Sequence, residues 1–171
     1  LNTGKYNIFF LETPMLHWPD SMVSYIRELR TLISQDIFGF HFASTCRFDD
    51  EFVRVYSDFE LEDAIYDYYA NILMPFGNLI KSKIDEVFKL GIEIDIIAPD
   101  HGIIWRKSPR RVIHMYMDMA SGKAECGVPI VYDTMWHATE RMVIPIMKGI
   151  EDEGVNSRVI RLRASPLSDA I

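Results

Sequence analysis

The stretch IEIDIIAPDHG, Ile92–Gly102, decides the fold. Isoleucines alternate with acidic residues and then run together, which predicts a strand over Ile92–Pro99. Just before it, GNLIKSKIDEVFKLG places Leu79, Ile80, Ile84, Val87 and Phe88 at helical spacing, and Gly91 suits the helix's C-terminal cap. A helix feeding such a strand predicts an α/β layering. The strand delivers Asp100 and His101 at its end, where a chain turns and side chains become available for chemistry.

Upstream, Leu61, Ile65, Tyr68, Tyr69, Ile72 and Leu73 recur at helical spacing until Pro75 interrupts them. Glu60, Glu62 and Asp63 lie early in this helix and suit its dipole. The stretch GFHFASTCRFDDEF, Gly39–Phe52, reads as an irregular loop. Three short strands are expected before it, over Lys5–Glu12, Ser21–Ile26 and Thr31–Ser34. A corner, MLHWPDSM (Met15–Met22), holds His17 against Trp18 and Pro19 after the first of them.

Downstream, Ser108-Pro109 reads as an N-cap and first position of a helix running to about Gly122. The small, polar run SGKAECG, Ser121–Gly127, is the best linker, and a new unit begins after it. VPIVY is a buried-type strand, DTMWHATE a turn, Arg141–Asp152 a helix and SRVIRL a second strand. That βαβ order predicts a parallel pair. Pro145 should kink the helix. The chain starts LNTGKY without an initiator Met and ends SPLSDAI, which looks like a helix cap and first turn. Both ends therefore read as cut, and no internal repeat is visible.

The 171 residues suffice for one domain or parts of two, and 49% hydrophobic with 25% charged is ordinary for a globular protein. A net charge of −7 argues against nucleic acid as the partner. No apolar run is long enough to span a bilayer, and no signal peptide is seen. Cys46 and Cys126 make no disulfide framework and read as free thiols of a cytoplasmic protein.

His17, Asp36 and His101 share one placement, each where a strand gives way to a loop. Strand ends along one sheet edge converge however distant they are in sequence. Imidazole with carboxylate suits iron, zinc or manganese, and a carboxylate can bridge two ions. Taken singly, each residue has a plainer reading: a hydrogen-bonded histidine, or an aspartate forming a turn.

The phrases PMLHWPDSM, SQDIFGFHFAS, YYANILMPF and APDHGIIWR resemble, in order, the second half of the metallo-β-lactamase-like domain of flavodiiron proteins. The resemblance implies a site for two non-haem irons, with His17 a terminal ligand of one, Asp36 the bridging carboxylate and His101 a terminal ligand of the other. His41 falls in the loop after the aspartate and is expected near the site but off the metal; His114 is expected to be structural. The family's first ligand cluster, His-x-Glu-x-Asp-His, belongs upstream of the region matching residue 1. The chain is accordingly expected to carry three ligands of a larger cage, as part of a longer enzyme.

IVYDTMWHATERM resembles the phosphate loop that opens the flavodoxin-like domain of the same proteins. A strand-to-helix turn aims N–H groups at a phosphate, and the helix N-terminus adds partial positive charge. The resemblance assigns hydroxyls to Thr134 and Thr139 and backbone N–H groups to Met135, Trp136, His137 and Ala138, with Trp136 beside the flavin. Packing roles for Met135 and Trp136 are the competing view. His137 stands where a small residue is common, and Pro145 is foreign to the helix.

The reading is an α/β chain. Residues 1–122 form the second half of a metallo-β-lactamase-like αββα sandwich, 123–127 a linker, and 128–171 the first βαβ unit of a flavodoxin-like parallel sheet. The resemblance implies an FMN- and di-iron-dependent oxidoreductase reducing O2 to water, NO to N2O, or both. It also implies a rubredoxin-like protein or a reduced deazaflavin as donor, and a head-to-tail homodimer or a dimer of dimers. The rivals are a zinc hydrolase using His17, Asp36 and His101 to activate water, and a non-catalytic flavin-binding module.

Overall fold

The computed structural model of the chain describes residues 1–123 and 126–165. It divides into two compact units, Leu1–Lys123 and Ala124–Ile171. Within the expected linker, 123–127, residues 124 and 125 lie outside the described residues, as does most of the helix cap expected in SPLSDAI.

The first unit holds a four-stranded sheet in the order β1 (Ile8–Glu12), β2 (Met22–Ile26), β3 (Thr31–Gln35) and β4 (Ile96–Pro99). The first two pairings are antiparallel, with Phe10 opposite Ser24 and Tyr25 opposite Leu32. β3 and β4 are parallel, with Leu32 beside Ile97. A parallel neighbour requires a crossover. Here it consists of α1 (Asp49–Val55), α2 (Asp58–Tyr68) and α3 (Gly77–Lys89), and α4 (Pro109–Ala120) comes after β4.

Alternation decides which face is covered. Val23, Tyr25, Leu32 and Ile97 are buried in one cluster with Ile80 and Ile84 of α3 and Val112, Ile113 and Tyr116 of α4. Phe10, Met22 and Ile33 point to the other face and are exposed.

Three expectations change. The loop Gly39–Phe52 contains the start of a helix, α1, whose first turn carries Asp49, Asp50 and Glu51 at the dipole's positive end. Its N-cap, Phe48, makes no side-chain cap bond, so the usual N-terminal signal is missing. β4 is shorter than Ile92–Pro99, because the ladder with β3 starts only at Ile96. α2 begins at Asp58, where the N-cap Ser57 hydroxyl accepts from Glu60 N at 3.1 Å and donates to Glu60 Oε2 at 2.8 Å. Past Tyr68 the helix widens into a π-turn over Tyr69–Leu73, then tightens into a 3-10 turn over Met74–Phe76 at Pro75.

The second unit is β5 (Val128–Tyr132), α5 (Ala138–Asp152) and β6 (Ser157–Arg161), with β5 and β6 parallel and in register from Val128–Ser157 to Tyr132–Arg161. α5 takes the last three residues of the expected turn and runs on through Pro145. Val143 and Ile160 are buried, whereas Val128 and Val131 of the expected buried strand are exposed. One helix covers only one face of a two-stranded ribbon.

Candidate metal centre

His17 is set by the turn joining β1 to β2. Thr13 N donates to Ser21 O at 2.9 Å and Met15 N to Trp18 O at 2.7 Å, and the Ser21 hydroxyl accepts from Trp18 N at 3.1 Å. Leu16, 1% exposed, anchors the turn in the core and leaves the next side chain at the surface. The Leu16–His17 peptide bond is cis.

Asp36 comes directly after β3, past Gln35 in the left-handed region (φ +53°). The segment behind it is tied down from several sides. Ser34 Oγ donates to Ile37 O at 2.7 Å, Trp105 Nε1 to Phe38 O at 2.9 Å and Tyr116 OH to Gly39 O at 3.2 Å. His101 lies just past β4, and its carbonyl accepts from Phe40 N at 3.4 Å. Gly39 permits that approach: a Cβ there would stand 2.8 Å from His101 O and 3.2 Å from Asp36 O. Asp49 holds the chain beyond His101. Its buried carboxylate accepts from the backbone N–H groups of Arg106 and Lys107 at 3.1 Å and of Ser108 at 2.8 Å.

These constraints bring three residues to one place. His17 Nε2 lies 3.3 Å from Asp36 Oδ2, and His101 Nε2 lies 3.3 Å from Asp36 Oδ1. Each imidazole thus faces its own oxygen of one carboxylate. Among the described residues no three His, Cys, Asp or Glu side chains close around a single point. The arrangement is two donor pairs sharing a carboxylate rather than one three-ligand pocket. Metal–ligand bonds of about 2.0–2.2 Å meeting at an open angle separate their donor atoms by roughly 3–3.4 Å, so each pair has a fitting span.

Two further rings line the place. His41 is exposed and lies edge-on to His101 and to Tyr68, with ring centroids 5.0 and 4.8 Å apart. Tyr68, 3% exposed, carries a buried hydroxyl with no hydrogen-bond partner. Burial, then the negative charge of Asp36, pushes its phenol well above the ordinary tyrosine range. His114 is exposed on α4.

The loop between β5 and α5 distributes its residues differently. Thr134 is buried and its Oγ1 has no partner, while Met135 and Trp136 stand 71% and 83% exposed. His137 is the N-cap of α5 in the left-handed region, and its Nδ1 contacts Glu140 Oε2. Ala138 and Thr139 open the helix and are exposed.

Residues 1–102 match the family described as ODP family beta lactamase. The chain belongs to this family. Over its whole length this ODP-family chain is 44% identical to the nitric oxide reductase of Moorella thermoacetica, covering 42% of that protein. It superposes on rubredoxin oxygen:oxidoreductase from Desulfovibrio gigas with a TM-score of 0.87 at 37% identity, over 98% of this chain and 41% of that one. For the flavodiiron protein from Giardia intestinalis the TM-score is 0.84 at 29% identity, over 99% and 40%. The chain spans about two fifths of the length of the relatives it matches. No helix among the described residues of this ODP-family chain is long and apolar enough to cross a membrane.

Sequence reasoning did not single out Tyr68 or Asp49 for the site. Tyr68 sits among apolar residues at helical spacing and reads as core. Asp49 reads as one acid among three, and only its four hydrogen bonds distinguish it from Asp50 and Glu51.

Proposed function

We propose that this chain supplies part of the di-iron centre, and the phosphate end of the FMN site, of a flavodiiron oxidoreductase that reduces NO to N2O, O2 to water, or both. The observation that carries the reading is the Asp36 carboxylate with one imidazole at each oxygen. Asp36 would hold the metal pair together with the two histidines, His17 Nε2 and His101 Nε2 each supplying a nitrogen donor beside its own carboxylate oxygen. The remaining ligands would come from the rest of the longer protein.

Bound iron would supply electrons and Lewis acidity to a diatomic substrate, recharged through FMN. The chain's own residues set the surroundings. Asp36 would bring negative charge between the cations, and the buried Tyr68 hydroxyl, which has no hydrogen-bond partner, would be an O–H donor beside them. The aromatic edges of Tyr68 and His41 narrow the approach to His101. In the second unit the buried Thr134 hydroxyl and the start of α5 suit the flavin phosphate, with Met135, Trp136, His137, Ala138 and Thr139 around it.

The names of the relatives, a nitric oxide reductase and a rubredoxin oxygen:oxidoreductase, support a diatomic substrate and a rubredoxin-like donor. A reduced deazaflavin is the other donor considered. A head-to-tail dimer would bring one subunit's flavin to its partner's metals in a cytoplasmic enzyme. The test is metal and flavin analysis of the complete protein, with NO and O2 consumption under a reduced rubredoxin. Iron with FMN and turnover supports the reading. Zinc without flavin replaces it with a hydrolase, and flavin without metal leaves a binding module.

A further inference from the structure

We propose that His41 is the positioning residue for His101, and that it acts by packing its ring against the ligand rather than through either of its nitrogens. The inference rests on the di-iron reading above and adds to it a residue that sets how tightly one donor is held.

His101 needs such support more than His17 does. Its side chain is 47% exposed, against 25% for His17. Its Nε2 faces Asp36 Oδ1 at 3.3 Å, and that is its one polar side-chain contact among the described residues. A ligating histidine ordinarily donates its other ring N–H to a carbonyl or carboxylate, which fixes the ring. Without that bond the outer torsion of an imidazole is broad and roughly two-fold. Rotation about it would carry Nε2 away from the carboxylate. What meets the His101 ring instead is aromatic: His41 at a centroid distance of 5.0 Å and 77°, and Tyr68 farther off at 6.5 Å and 52°. Edge-to-face contact at such a distance is attractive and directional.

The backbone sets His41 at this distance. Two glycines press the segments together from opposite sides. A Cβ on Gly39 would stand 2.8 Å from His101 O, and one on Gly102 would stand 2.9 Å from Phe40 Cδ1 and 3.0 Å from Phe40 O. Between them Phe40, 1% exposed, is fixed in the core, and its N–H donates to His101 O at 3.4 Å. His41 is the next residue, so its ring is carried by the same seam that carries His101. On its other side it meets Tyr68, with centroids 4.8 Å apart at 86°, and Tyr68 is 3% exposed. Three rings therefore stand in series, with buried Tyr68 behind His41 and His41 behind the ligand.

His41 as a donor in its own right is the competing role. Among the described residues no three metal-ligating side chains close around one point, and His41 makes no polar contact to Asp36. Its observed contacts are ring against ring. Packing needs the ring and not its nitrogens, which separates the two roles by substitution.

The experiment compares wild type, His41→Ala and His41→Phe as complete proteins, loaded with ferrous iron without oxygen and then titrated with a ferrous chelator. Iron retained per chain is the main reading, and thermal unfolding of the metal-free proteins is the control. His41→Ala is expected to hold its more labile iron about ten- to a hundredfold more weakly. His41→Phe is expected to restore retention to within about threefold of wild type, because the edge contact survives. The side chain is exposed, so metal-free unfolding is expected to be alike in all three. Wild-type retention in His41→Ala overturns the proposal. So does loss in His41→Phe equal to that in His41→Ala, which assigns the effect to a nitrogen. Wild type that takes up no iron overturns the di-iron reading and this proposal with it.

Discussion

Gly39 and His101 meet backbone to backbone, so closely that a Cβ on Gly39 would stand 2.8 Å from the His101 carbonyl oxygen. That atom cannot swing aside as a flexible side-chain end would. Gly39→Ala is therefore expected to cost about 1–3 kcal/mol in urea unfolding and to part His101 from Asp36. Metal content should fall with stability. A Gly39→Ala variant unchanged in both would show that the approach has slack.

Asp36 serves two donor pairs, whereas each histidine serves one. Asp36→Ala in the complete protein is expected to strip iron more completely than His17→Ala or His101→Ala. Elemental analysis per chain reads this directly. Full iron in Asp36→Ala would refute the shared-carboxylate assignment.

Tyr68 offers a separation of stability from chemistry. Its hydroxyl is desolvated and unpartnered, so Tyr68→Phe is expected to leave the metal-free protein as stable or about 1 kcal/mol more so. Loss of the O–H donor is expected to lower turnover about tenfold or more. Thermal unfolding of the metal-free protein and NO consumption of the loaded one provide the two readings; unchanged turnover would remove Tyr68 from the chemistry.

Asp49 tests how the loop after His101 is held. Asp49→Ala leaves three backbone N–H groups without their acceptor and is expected to cost roughly 2–4 kcal/mol. Asp49→Asn keeps one acceptor oxygen and should cost less. Equal denaturant midpoints for wild type and Asp49→Ala would contradict this.

Asp50 gives a pH dependence with a defined sign. Its hydrogen bonds to Arg106, at 2.8 and 3.2 Å, hold the carboxyl below its usual range. A depressed folded-state pKa contributes stability above the unfolded value of about 3.9, and that contribution disappears as pH falls through the folded value. Asp50→Asn should melt lower than wild type near neutral pH and match it in strong acid. A gap that persists in strong acid would assign the effect to something other than ionisation.

Much of the fold is legible because burial imposes a period. β1, β2 and β3 announce themselves through short apolar runs between turn residues, and α3 through Ile80 and Ile84. α1 escapes because it is short and its cap is a phenylalanine. β4 shortens because Ile92 and Ile94 supply apolar side chains to the core without joining the ladder. At the centre, the placement of His17, Asp36 and His101 at strand ends is readable, but their meeting depends on loop closures by Gly39, Trp105 and Tyr116 that no local pattern encodes. Tyr68 is invisible for the opposite reason: its spacing fits a core helix too well.

The π-turn over Tyr69–Leu73 amounts to one residue more than a regular helix would hold. Deleting a single residue there would let the helix run straight, and α2 would rotate by about 100° and shift by about 1.5 Å relative to α3. Tyr68 would swing off Asp36 while Pro75 and α3 kept their places. Length in this segment, more than composition, is what aims the phenol, so a one-residue gap here between otherwise similar chains marks a different second wall around the carboxylate.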